Sequence, residues 1–80
     1  MKQKRLTLDC LPLGRKAHVT ELNVSGVDRR RMLDLGLLQG ATIEALSRSP
    51  SGDPVAYFVR GTVIALRCED AQKITVTECM

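Results

Sequence analysis

Eighty residues suffice for one small domain with a single modest core. The chain is 44% hydrophobic but has only Tyr57 and Phe58 as aromatics, so its core must be aliphatic, and no apolar run approaches the ~20 residues that span a bilayer. A net charge of +3 and a pI near 9.0 are mild, and the charges are mixed rather than gathered into the aromatic-interleaved basic stripe that nucleic acid favours.

Residues 1–5 read as a frayed basic tail, and Asp9, Pro12, Gly14 and Arg15 interrupt any signal-like apolar region after it, which implies a cytoplasmic protein. Leu6, Leu8 and Leu11 lead into a turn at Pro12-Leu13-Gly14. From Ala17 to Leu22 the residues alternate as in a strand. Ser25 and Asp28 have the spacing of a capping box, Asp28 suiting the positive end of the helix that follows. Advancing ~100° per residue gathers Met32, Leu33, Leu35 and Gly36 on one arc and sets Arg30, Arg31 and Asp34 on the other. Arg30 and Asp34 have the spacing of an ion pair across one turn, and Arg29 falls on the rim, its stem packed and its head near backbone carbonyls. Gly36 stands where a left-handed helix terminus belongs, and Gly40 turns the chain again.

A second strand is expected from Thr42 to Ser47, with Ile43 and Ala45 inward, then a turn-rich loop through Ser49-Pro50-Ser51-Gly52-Asp53-Pro54. Val55 to Arg60 and Thr62 to Arg67 form a hairpin about Gly61; Cys68 to Gln72 makes one helical turn; Ile74 and Val76 belong to a last short strand. Gly36, Gly40, Gly52 and Gly61 are expected to be structural turns. Five short strands with one helix between the first two imply a small, strongly bent antiparallel sheet or barrel. Cys10, Cys68 and Cys79 are odd in number and widely spaced, against both a disulfide framework and a zinc knuckle.

The ordered set Arg29-Arg30-Arg31-Met32-Leu33-Asp34-Leu35-Gly36-Leu37, Gly40, Pro50-Ser51-Gly52-Asp53-Pro54, Arg60-Gly61, Ile64-Ala65-Leu66-Arg67, Ala71 and Ile74-Thr75-Val76 resembles FeoA proteins from Leu8 to Thr77. That resemblance implies a small SH3-like antiparallel β-barrel, mainly β with one or two short helices. It would occupy 1–80 as a single FeoA-like domain, with 1–5 and 78–80 as flexible tails. It also implies a cytoplasmic accessory or regulatory protein of FeoB-dependent ferrous iron uptake, docking on the cytoplasmic part of the FeoB membrane transporter and so peripheral at the inner membrane. No nucleic acid or membrane insertion is implied; a homodimer is the other partner considered. The alternative is a standalone metal-binding or corepressor-like domain similar to the C-terminal domain of DtxR-type metalloregulators, without the DNA-binding helices attached there.

Chemistry-bearing residues are sparse. No G-x-x-x-x-G-K loop is present, a single His offers no Ser/His/Asp arrangement, and a barrel this small has little room for substrate, so no enzyme activity is expected. Cys68, Glu69 and Asp70 are the one compact donor cluster and His18 stands elsewhere; without chelate spacing these are weak metal candidates. No cofactor is firmly implied; ferrous iron or an adventitious divalent metal is the species to test. In the hairpin, Val55, Tyr57, Val59, Ile64 and Leu66 form the inward set, which turns Phe58, Val63 and Ala65 outward as an apolar contact surface. A one-residue slip would instead bury Phe58 and expose Tyr57. Arg30 and Arg31 are the second candidate contacts, set against a merely solvated helix face.

Overall fold

The computed structural model describes residues 4–79. The described residues form six strands: β1 (Lys4–Thr7), β2 (Lys16–Leu22), β3 (Thr42–Arg48), β4 (Val55–Val59), β5 (Thr62–Leu66) and β6 (Ile74–Glu78). Two short helices, α1 (Gly26–Asp34) and α2 (Cys68–Ala71), and a single 3-10 turn at Leu8–Cys10 complete the domain. Every strand pairing is antiparallel, in the order β1-β6-β2-β3-β4-β5. β1 and β5 do not pair with each other, so the sheet curls over its core without closing. Among the described residues no helix is long and apolar enough to cross a membrane.

The period-2 alternation puts Ala17, Val19, Ile43, Ala45, Val55, Tyr57, Val59, Ile64, Leu66, Ile74 and Val76 into one core, completed by Leu8, Leu11, Met32, Leu37 and Ala71. The aliphatic core expected from composition is therefore formed, with Tyr57 as its one aromatic. Bulges at Val19/Glu21 and Ala45/Ser47 bend β2 and β3, which helps a short sheet curl.

The joint between α1 and β3 is closed by a dense set of backbone bonds. Leu35 caps the helix, Gly36 takes φ +97°, Gly36 N–H donates to Leu33 O at 3.0 Å and Leu37 N–H to Met32 O at 3.1 Å. These are the paired bonds of a Schellman motif, and its hydrophobic contact is formed by the buried Met32 and Leu37. The chain is then stitched to β2: Gly40 N–H donates to Val19 O at 2.6 Å and Val19 N–H to Ala41 O at 2.9 Å.

Several expectations are corrected. Lys4 and Arg5, expected in a flexible tail, pair with Glu78 and Thr77, and Glu78 is itself a strand residue; residues 1–3 and 80 lie outside the described residues. Lys-Arg-Leu-Thr has too little alternation to announce a strand, and β6 supplies the pairing that makes it one. Glu78 is only 6% exposed and receives Arg15 Nη1 at 3.0 Å, which compensates a carboxylate on the inward register of β6. Ser25 makes no side-chain capping bond. Arg30 and Asp34 do not pair among the described residues; Arg31 instead reaches Asp70 on α2 at 3.7 Å. On the apolar arc of α1 only Met32 is fully buried, Leu33 is half-buried and Leu35 exposed, because this nine-residue helix packs chiefly through its C-terminal end.

A β-carbon at Gly36 would meet a left-handed backbone and also lie 3.2 Å from Arg60 Cδ, whereas one at Gly40 meets no atom within 4 Å. Gly36→Ala should cost about 1–2 kcal/mol and Gly40→Ala about 1 kcal/mol in urea unfolding. Equal losses would mean that the Arg60 stem yields freely. The Tyr57 phenol is pushed from 10.0 up to about 12, first by burial and then by the nearby Cys68 and Asp9. Folding therefore favours the neutral phenol; the contribution is whole below pH 10 and lost between about 10 and 12, about 2–3 kcal/mol in all. Tyr57→Phe should fall less steeply in stability than the unaltered chain over that range; parallel curves would refute the raised phenol.

Candidate functional site

The hairpin β4–β5 builds the strongest candidate surface. Tyr57 is 2% exposed while Phe58 is 41% and Val63 60% exposed, so the register is the one that faces Phe58 out. Phe58 lies directly opposite Val63, and Ala56 opposite Ala65, giving four apolar side chains on the outer face of two neighbouring strands. The two-residue turn Arg60-Gly61 fixes this register. Arg60 has φ +51°, a left-handed conformation costing a side-chain-bearing residue on the order of 1 kcal/mol. Its stem crosses Gly36, just past the C-terminal end of α1.

Phe58 also borders a cleft of about 260 Å³ lined by Lys16, Thr42, Glu44, Arg60 and Gly61. Two cations and one anion share it, and among the described residues neither Lys16 nor Arg60 is ion-paired. A partner with an apolar patch bordered by acidic groups would complement the polarity and charge of this face.

The helix arginines lie elsewhere. Arg31 is engaged with Asp70, while Arg30 is exposed beside a shallow cleft with Gly26, Arg29, Leu33 and Asp34. Arg29 donates from Nη1 to Leu22 O at 3.3 Å, the carbonyl contact its rim position suggested. It also lines a more polar cleft of about 380 Å³ with Arg5, Glu21 and Gln39. That cleft was not visible in sequence, because Arg5 reaches it only through the β1–β6 pairing.

The metal candidates are not brought together. His18 is on β2, its Nδ1 3.4 Å from Thr42 Oγ1, whereas Cys68, Glu69 and Asp70 belong to α2. Among the described residues no three His, Cys, Asp or Glu side chains are gathered as a metal-holding group. Asp70 faces Arg31, and Cys68 is tied to the β3–β4 loop: its N–H donates to Asp53 Oδ1 at 2.8 Å and its Sγ to Gly52 O at 3.9 Å. Desolvation, then the charge of Asp53 and its hydrogen bond, push the Cys68 thiol up, which disfavours the thiolate a metal needs. Asp53 also pairs with Arg67 at 3.6 Å, so it secures the loop against the start of α2. Cys68, Glu69, Asp70 and His18 therefore do not form one donor set.

Comparison with known proteins agrees with this architecture. The FeoA domain family matches residues 6–78. A Porphyromonas gingivalis protein named as a fusion of Fe(2+) transport protein A and the Fe(2+) transporter FeoB is 37% identical over 71 residues, 89% of this chain. This chain spans only 8% of that fusion's length. The solution structure of the Chlorobium tepidum FeoA protein superposes with a TM-score of 0.88 at 35% identity, covering 94% of this chain and 71% of that one. The crystal structure of Stenotrophomonas maltophilia FeoA complexed with zinc, described as an SH3 domain protein, has a TM-score of 0.76 at 29% identity, covering 89% and 88% of the two chains. With its match spanning nearly all of the antiparallel sheet described above, this chain belongs to the FeoA domain family and has its SH3-like fold.

Proposed function

We propose that this chain is a cytoplasmic, non-enzymatic accessory module of ferrous iron transport that docks on the cytoplasmic part of a FeoB transporter through the outer face of β4–β5. The observation that carries the proposal is the cluster of Phe58, Val63 and Ala65, exposed on a domain whose remaining inward-facing apolar residues already fill a complete core. Phe58 and Val63 face away from the core, and an apolar patch bordered by cations is what a protein interface offers. The related fusion supports the choice of partner: a linker holding two modules in one chain raises their effective concentration for each other.

Docking of this kind regulates by differential affinity. A module that binds one nucleotide state of FeoB more tightly shifts the transporter toward that state, and one with equal affinity for all states serves assembly alone. Arg30 and Arg31 are secondary contacts in this scheme, since Arg31 is already partly satisfied by Asp70. Binding places the domain at the membrane surface without any insertion of its own.

Affinity for FeoB should be measured with GDP, with a GTP analogue and without nucleotide, for the unaltered chain, Phe58→Lys and the double alanine variant at Arg30 and Arg31. Phe58→Lys should keep its thermal unfolding profile and lose about 2 kcal/mol of binding, roughly 30-fold in Kd. The double variant should lose less. Unchanged binding by a folded Phe58→Lys chain would sink the proposal.

A further inference from the structure

The two edge strands of the sheet are protected very differently. β1 carries Lys4 and Arg5, charges that discourage pairing with another chain. β5, with the sequence Thr62-Val63-Ile64-Ala65-Leu66, has no charge, no proline and no bulge against β4. The turn determines which of its backbone groups stay open. Because Arg60 and Gly61 form a two-residue loop, Val59 and Thr62 are a hydrogen-bonded pair, and so by alternation are Tyr57 with Ile64 and Val55 with Leu66. The N–H and C=O groups of Val63 and Ala65 therefore point away from β4. Among the described residues no loop or helix backbone bonds to them. Their exposed side chains continue the face made by Phe58.

We infer that β5 accepts an added strand: an extended segment of the docking partner, apolar at alternate positions and acidic at its flanks. This rests on the docking proposed above and specifies its geometry. Strand addition draws affinity from main-chain hydrogen bonds and specificity from alternate side chains. Here the outward groups of Val63 and Ala65 supply the first, and the Phe58–Val63–Ala65 face supplies the second. The charges favour a foreign strand over a second copy. Arg60 precedes β5 and Arg67 follows it, roughly 20 Å apart at strand rise. Arg60 forms no ion pair among the described residues, and the one partner of Arg67 is Asp53. Two copies paired antiparallel through β5 would set Arg67 of each beside Arg60 of the other, whereas an acidic-flanked segment meets both cations favourably.

The experiment is amide hydrogen exchange on the full chain, free and with the cytoplasmic part of FeoB, together with Kd values for Ala65→Pro and Phe58→Lys. Proline at 65 removes an outward N–H without taking a ladder bond from β4. The Val63 and Ala65 amides should exchange freely in the isolated chain and slow about tenfold or more in the complex, and Ala65→Pro should weaken binding roughly tenfold. If Ala65→Pro fails to fold, exchange in the unaltered chain decides by itself. Loss of binding in Phe58→Lys with Val63 and Ala65 still exchanging freely in the unaltered complex would overturn strand addition and leave face docking standing. No affinity of the unaltered chain for FeoB would overturn both. Protection that grows with protein concentration in the absence of FeoB would assign the edge to a second copy and overturn the acidic segment.

Discussion

The Schellman closure at Gly36 is the constraint on which the other elements depend. It ends α1 within one residue, and its two backbone bonds swing Leu37 into the core against Met32. Four residues later the chain is bonded to both the N–H and the C=O of Val19, so β3 begins in a fixed position beside β2. β4 pairs on β3 and β5 on β4, so both inherit that register. The stem of Arg60 lies across the same glycine, which brings the far hairpin back onto the joint. A single missing β-carbon thus serves two connections of the sheet, permitting the left-handed turn before β3 and leaving room for the arginine that turns the β4–β5 hairpin.

The treatment of charge separates what holds the domain together from what it presents. Inside, the one buried carboxylate, that of Glu78 among the described residues, is answered by Arg15 at 3.0 Å, and the β3–β4 loop is tied to α2 through Asp53. These contacts join segments far apart in sequence, and they do so with groups that would be costly to leave unpaired. Outside, Lys16 and Arg60 stand beside the exposed Phe58 without ionic partners among the described residues. Unpaired cations bordering an apolar patch are well suited to steer an acidic partner while adding little to the stability of the free domain.

Much of this was legible in the chain because period-2 alternation is a local signal. It placed β2 to β5 within a residue or two, but in the all-apolar run Val55–Val59 it left two registers open, and the fold selects the one with Tyr57 inside and Phe58 outside. Gly36 was legible because helix termination has its own chemistry. What sequence could not carry was tertiary in origin. β1 is a strand only because β6 lies next to it, and Glu78 looked like a tail residue because nothing near it in sequence predicts its burial. Arg31 chose Asp70 over the helix-local pattern that favoured Arg30 with Asp34, since α2 arrives beside α1 only in the folded chain. The open edge of β5 was equally invisible: strand order, not strand identity, decides which backbone groups remain unpaired.

The same alternation explains how one hairpin can both line the core and carry an exposed apolar face. Val55, Tyr57, Val59, Ile64 and Leu66 face the core, while Ala56, Phe58, Val63 and Ala65 face out, so the two faces use interleaved but separate residues. A slip of one residue would exchange the sets, burying Phe58 and expelling Tyr57. The register must therefore be pinned, and the two-residue turn pins it at the cost of a left-handed Arg60. A residue that accepts such a conformation with less strain, such as asparagine, would make the turn more easily but would leave Gly36 uncovered and the cleft beside Phe58 with only one of its two cations. The strained arginine is thus best understood as joining the register of the hairpin to the charge of the surface that the hairpin presents.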